Sequence, residues 1–274
     1  MPLYKDTLIL DKKKIVWSYC LYGRNIDLYY KPLLINLDIA RKLNVKVVLF
    51  TTLSECNFVK DYFQEFIDIL KVVSINKRFI KLHRYLAPDY IQGDYYFYKD
   101  TDSVITMREL TYSINWCKEI NSSAMLVRDH PLHISPIMGG MFALNSDLAK
   151  ILSHKVIMSL DNPKKLSRNT YLYDQLWLTH YIYPLIAKKA HVYSSFFYYK
   201  NEHVVDISHD RDAKDFIGAQ YKENAQRSLV LESYSKYYRT SKGLTLPFIR
   251  KFSFLYQKVR LVLFFARVYE KITN

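Results

Sequence analysis

The chain has 274 residues, enough for one large α/β domain with an appendage, and half of them are hydrophobic, so a sizeable core is available. Lys and Arg outnumber Asp and Glu by 40 to 26, a net charge of +14 that points to an anionic partner or surface. Composition excludes low-complexity and collagen-like classes, and no zinc-finger spacing, RNP pattern or Walker loop accompanies the charge, so no nucleic-acid partner is expected. Cys20, Cys56 and Cys117 are few, scattered and odd in number, which fits a reducing cytoplasm rather than a disulfide framework. The N-terminus shows no signal-peptide pattern, and the apolar run Leu261–Ala266 is too short to span a bilayer.

Strand and helix patterns alternate through the first half. Lys14–Cys20 reads as a buried strand, followed by a loop over Leu21–Asn25. Leu28–Leu43 reads as a helix, Val45–Thr51 as a β-branched strand, and Val59–Leu70 as a helix by the spacing of Phe63, Phe66, Ile67 and Leu70. A short strand at Val72–Ile75 and a helix over Lys77–Leu86, stopped by Pro88, come next. The aromatic run Tyr95–Lys99 then delivers Asp100-Thr101-Asp102-Ser103. Further on, Thr106–Lys118 reads as a helix, Ala124–Val127 as a strand opening into Arg128-Asp129-His130-Pro131, and Ile137–Asn145 as a glycine-hinged strand. Tyr171–Tyr183 is helical and carries Asp174-Gln175, and Val192–Tyr198 is a strand. This alternation predicts a mostly parallel sheet with helices on both faces, whose ligands sit beyond the carboxyl ends of the strands. Tyr22-Gly23 and the acidic triplet both lie at such ends.

A D-x-D pair is cheap by itself, as the loop pair Asp210 and Asp212 shows. Asp100 and Asp102 differ because a hydrophobic strand brings them to a sheet edge, where both carboxylates can face one hard cation, Mn²⁺ or Mg²⁺. Such a cation would bridge a diphosphate and stabilise its departure. An Asp turn with Ser103 capping the next helix accounts for the same residues. Asp129 suits a general base or a salt-bridged turn beside Arg128 and His130. Gly139-Gly140 suits close approach to a ligand or a β-bulge. Asp174-Gln175 suits a site or a solvated helix face. From Tyr234 the chain turns basic and aromatic, with Phe252, Leu255, Val259, Val262 and Ala266 on one helical stripe. This divides the chain into residues 1–233 and a basic amphipathic tail, 234–274, suited to an anionic membrane surface or to docking on the core.

The ordered elements Arg84-Tyr85-Leu86-Ala87, Tyr96 to Ser103, Arg108-Glu109, Met125 to Pro131, Pro136 to Met141, Tyr173 to Trp177, Ile182-Tyr183-Pro184 and Phe216 to Ala219 resemble bacterial glycosyltransferases of surface polysaccharide (capsule and lipopolysaccharide) loci. The Gly139 to Asn145 stretch and Asp174-Gln175 also look like the retaining galactosyltransferase group related to glycogenin. The resemblance covers about residues 15 to 225. It implies a GT-A fold, a UDP-sugar or other nucleotide-sugar donor, and a glycan or lipid-linked acceptor; the basic tail places that acceptor at the inner face of the membrane. Carried over, Asp100 and Asp102 bind the divalent metal and donor, and Asp174 and Gln175 contact the donor sugar. Gly139 and Gly140 line its pocket, Tyr22 and Gly23 lie near the base, Arg84 helps hold the diphosphate, and His130 belongs with the donor-binding set. Asp129 or Asp174 is the base of an inverting course, whereas the leaving phosphate takes the proton in a retaining one. The related sequences often carry His-Asp-Ser-Phe where this chain has Tyr193-Ser194-Ser195-Phe196, which leaves a third metal ligand unassigned; His203 and His209 are the candidates. The competing classes are a non-catalytic basic module on a transferase-like fold and a nucleotidyltransferase.

Overall fold

The computed structural model describes residues 13–23, 25–73, 79–119, 123–130, 133, 135–161, 173–196, 198–199, 202–209 and 216–221. The basic tail, and with it the expected boundary at 233/234, lies outside the described residues. The organising element is an eight-stranded sheet: β1 (Ile15–Leu21), β2 (Lys46–Thr52), β3 (Ile69–Val73), β4 (Tyr95–Lys99), β5 (Ala124–Arg128), β6 (Met141–Asn145), β7 (Ala190–Ser194) and β8 (His203–Asp206). Their order across the sheet is β3-β2-β1-β4-β6-β5-β7-β8. Every pairing is parallel except those of β6, which runs antiparallel to both β4 and β5.

Strand β1 is buried at every position and β2 at all but Lys46, so both read as continuous apolar runs. Their side chains alternate between two cores. Val16, Val48, Phe50, Tyr96 and Tyr98 face one, where Leu152, Trp177 and Leu178 cover them. Ile15, Trp17, Tyr19, Val47, Leu49 and Phe97 face the other, covered by Leu33, Leu37, Ile114 and Trp116. This is the expected Rossmann-like arrangement, a mostly parallel sheet with helices on both faces.

Several boundaries differ from the sequence expectations. The helix expected over Val59–Leu70 is α-helical only over Cys56–Phe63 and tightens to a 3₁₀ turn at Gln64–Phe66. The chain then leaves the helix because Asp68 accepts from the Val47 amide at 2.8 Å, which sets Ile69–Val73 into register beside β2. Phe66, Ile67 and Leu70 satisfy a helical spacing, yet they reach the core from a turn and a strand. The helix expected over Lys77–Leu86 is one α-turn, Ile80–His83, followed by a 3₁₀ segment, Arg84–Asp89, that runs through Pro88. The strand expected over Val192–Tyr198 is Ala190–Ser194. The sixteen-residue helix Ser146–Asp161 and strand β8 were not anticipated.

Candidate functional site

Strand β4 ends at Lys99, paired across the sheet with Met141, the first residue of β6. Because β6 runs the other way, the residues leaving β4 and those entering β6 meet at one edge. Asp100 therefore lies beside Gly139-Gly140. The contact is so close that a Cβ on Gly140 would collide with the Asp100 carboxylate and sit 2.7 Å from its amide nitrogen. A Cβ on Gly139 would collide with the Asp174 carboxylate and lie 2.7 Å from Arg84 Nη2. Glycine here is a condition of assembly. The Tyr85 hydroxyl fastens the pair by donating to the Gly139 carbonyl at 3.2 Å.

Arg84 stands at the centre, only 3% exposed. Its Nη1 donates to Asp100 and, at 3.2 Å, to the Lys99 carbonyl; its Nη2 donates to Asp174 Oδ2 at 2.7 Å. Burial pushes the Asp100 carboxyl up, but the Arg84 guanidinium, with Lys81 and Lys99, overcomes this and holds it below the usual carboxylate range. The Asp102 carboxyl is pushed up, first by burial and then by the charge of Asp100. Asp102 accepts from Gln220 Nε2 at 2.8 Å, and its carbonyl accepts from the Tyr221 amide at 2.7 Å. The turn beyond is pinned by Asn36, which donates to the Ser103 carbonyl and accepts from the Ile105 amide, both at 2.8 Å. The cap of the next helix, Met107–Lys118, is Thr106 rather than Ser103.

Part of this set lines one open cavity of about 420 Å³, within the range of small-ligand sites; Gly140, expected in the pocket, packs against Asp100 without lining it. Tyr22, Arg84, Asp100, Asp102, Gly139, Asp174 and Gln175 all face it, as does Lys81. The set therefore brings together residues from five separate stretches of sequence. Gly23, at φ +102°, makes the turn after β1 but does not line the cavity. Gln175 accepts from the Ser135 hydroxyl at 3.2 Å, and the Tyr22 phenol shares a hydrogen bond with Lys81.

Asp129 and His130 lie elsewhere. Asp129 is fully buried and receives both Arg108 guanidinium nitrogens, the Ser195 hydroxyl and, at 2.9 Å, the Ile217 amide. A carboxylate so saturated behind protein is an anchor, and it does not line the cavity. His130 is buried against Phe216, with ring centroids 4.3 Å apart. Arg128 likewise forms a buried pair with Glu202. The Ser194-Ser195 element serves the same framework, with Ser194 bonded to the Arg128 carbonyl. Of the candidate third ligands, His203 starts β8 on the opposite sheet edge, stacked on His191 at 4.4 Å, and His209 is exposed outside the cavity. Among the described residues no three His, Cys, Asp or Glu side chains cluster for a metal. Asp100 and Asp102 nevertheless fit a hard divalent cation: both offer oxygen to the cavity, and their mutual repulsion is what such a cation relieves. Mg²⁺ commonly takes one or two carboxylates and completes its shell with phosphate oxygens and water.

The cavity residues missed in the sequence include Lys81 and Gln220. Lys81 carried a signal, lying three residues before Arg84 on one helical turn. Gln220 carried none, since 118 residues separate it from Asp102.

No protein-family model matches this chain, and no curated protein sequence does. Solved structures match in shape. The first 349 residues of TarS from S. aureus align with 66% of this chain and 58% of that one, at 17% identity and a TM-score of 0.44. A glycosyltransferase involved in glycosylation of the major capsid of PBCV-1 aligns over 67% and 83%, at 14% identity and a TM-score of 0.42. The 4-diphosphocytidyl-2C-methyl-D-erythritol synthase of Anaerococcus prevotii aligns over 84% and 99%, at 10% identity and a TM-score of 0.45. This chain thus spans less than two thirds of the TarS fragment, and similarities of this size assign it no activity.

Proposed function

We propose that the chain transfers a sugar from a nucleotide-sugar donor, with UDP the nucleotide expected from the sequence resemblance, to a glycan or lipid-linked acceptor in surface glycan synthesis. The observation that carries this reading is the convergence of Asp100 and Asp102 with Gly139, Asp174 and Gln175 in one cavity at the carboxyl edge of the sheet. Carboxylates suited to a cation and its diphosphate lie beside polar groups suited to a sugar. Asp100 and Asp102 would hold Mn²⁺ or Mg²⁺, which would supply charge neutralisation for a departing diphosphate.

The chain's own residues do the positioning. Arg84 holds Asp100 and Asp174 in one arrangement before any ligand arrives, which is the preorganisation that transition-state stabilisation needs. Asp174 and Gln175 offer acceptors to sugar hydroxyls from the first turn of their helix. Neither base expected for an inverting course is placed to take a proton: Asp129 is buried away from the cavity, and Asp174 Oδ2 is held by Arg84. The departing phosphate oxygen then takes the acceptor's proton, and the anomeric configuration is retained. Association with an anionic membrane rests on the sequence of the tail alone; deletion of Lys242–Asn274 should abolish sedimentation with anionic liposomes.

The test is donor turnover. The full chain is incubated with UDP- and GDP-linked sugars, and separately with nucleoside triphosphates, in Mn²⁺ with and without chelator. A chelator-sensitive release of nucleoside diphosphate, lost in Asp102→Ala, is expected. Absence of turnover and of nucleotide binding would sink the reading, and turnover of a nucleoside triphosphate instead would favour nucleotidyl transfer.

A further inference from the structure

Arg84 is the expected diphosphate cation, yet its environment argues against that role. Its guanidinium is already divided between Asp100, the Lys99 carbonyl and Asp174. Turning it toward a ligand would leave Asp174, itself 4% exposed, as a buried carboxylate without its partner. One helical turn earlier stands a second cation. Lys81 is partly exposed and lines the same cavity as Asp100, Asp102 and Asp174. Its ammonium rests on the Tyr22 phenol, which burial pushes up to about 12, so the phenol is neutral at physiological pH. A lysine head carries three donors on a flexible stem. It can keep Tyr22 and still reach an oxygen in the cavity.

The charge balance points the same way. Asp100, Asp102 and Asp174 bring three negative charges to the cavity, and Arg84 and Lys81 bring two positive ones. A diphosphate entering this net-negative space needs cations that are not clamped between carboxylates. The divalent ion answers part of that need, and among the described residues the second cation lining the cavity, beside Arg84, is Lys81.

Building on the glycosyl-transfer reading, we propose that Lys81, steadied by Tyr22, is the side chain that holds the departing diphosphate, while Arg84 is a positioning residue for Asp100 and Asp174. The sugar–phosphate C–O bond breaks with its electron pair left on the phosphate oxygen, and the acceptor oxygen forms the new bond to the sugar. The acceptor's proton passes to that diphosphate. Lys81 stays protonated throughout and donates a hydrogen bond to the oxygen on which charge develops.

The experiment is calorimetric titration of full-length Lys81→Met, Lys81→Gln and Lys81→Arg proteins in Mn²⁺. The probes are UDP or GDP, whichever binds the wild type, and the matching monophosphate. Met and Gln should weaken the diphosphate on the order of 10- to 100-fold, the loss of one charged hydrogen bond, and the monophosphate much less. Arg should recover most of the diphosphate affinity. Thermal unfolding should be unchanged, because the side chain is partly exposed. Unchanged diphosphate affinity in Met and Gln, or an equal loss for both nucleotides, overturns the assignment. A wild type that binds neither nucleotide overturns the transferase reading itself, and this is seen before any variant is compared.

Discussion

Replacing Gly140 by alanine tests how the cavity is assembled. The added methyl would lie 2.7 Å from the Asp100 amide nitrogen and nearer still to its carboxylate, whereas Cβ contacts in proteins essentially never fall below 3.0 Å. The carboxylate could swing aside, but the amide is the first backbone group beyond β4 and moves only if Lys99 loses its register with Met141. Overpacking of this kind costs about 1–3 kcal/mol. Displacing a reacting group by about an ångström costs on the order of 100-fold in rate. Gly93→Ala is the matched control: its Cβ would lie 2.6 Å from Val16 Cγ2, at the opposite end of β4 and away from the cavity. The assay pairs thermal unfolding with Mn²⁺-dependent release of nucleoside diphosphate for the three proteins. Comparable losses of stability are expected in both variants, with the roughly 100-fold loss of turnover confined to Gly140→Ala. Wild-type turnover in Gly140→Ala, or an equal loss in Gly93→Ala, would refute the argument that the glycine positions Asp100.

Arg84→Met should lower stability by about 3–5 kcal/mol, because Asp174 loses its partner while buried; Arg84→Lys should recover only part, since one ammonium does not fork to two carboxylates. A Met variant that melts with the wild type would remove the clamp. Asp129→Asn should cost a similar amount through Arg108 and Ser195, yet keep turnover within about tenfold at a temperature where it is folded. A loss beyond 100-fold with an unchanged melting temperature would restore Asp129 as a base. Stability should also fall as pH drops below the ordinary histidine value of 6.5. Burial holds the folded-state pKa of His83 below that value, so the unfolded chain binds the proton first and stability is lost as pH falls from 6.5 through the folded pKa. His83→Gln should flatten that slope in melting curves between pH 7 and 5, and an unaltered slope would assign it to other groups.

Strands β1, β2 and β4 were legible in the sequence because parallel strands buried on both faces leave unbroken apolar runs. Three elements at the cavity were legible singly: the acidic triplet, Gly139 of the glycine pair and Asp174-Gln175. Their meeting depends on the antiparallel insertion of β6, and no local pattern reports strand order. The helix Ser146–Asp161 did carry a signal, with Leu148, Ala149, Leu152 and Val156 at helical spacing on the core. The false extension of Val59–Leu70 has the opposite cause: Phe66, Ile67 and Leu70 have helical spacing, but pairing with β2 through Asp68 overrides it.

Asp129 shows why position at a strand end does not by itself define a site. Both Asp100 and Asp129 directly follow strands that end on the same edge, and each meets an arginine. They differ in what lies across from them. The end of β4 packs against two glycines, which admit the Asp100 carboxylate without covering it, and the Asp100 side chain remains 47% exposed. The end of β5 is covered by Ser195 and by Ile217, whose groups use up the oxygens of Asp129. The same short stretch that seals Asp129 at Ile217 reaches Asp102 three residues later through Gln220. Residues 216–221 thus close one carboxylate into the framework while contributing a wall to the cavity that holds the other pair. The distinction between a sealed aspartate and one open to the cavity is made by chain nearly ninety residues beyond Asp129, which is why the Arg-Asp-His-Pro element alone could be read either way.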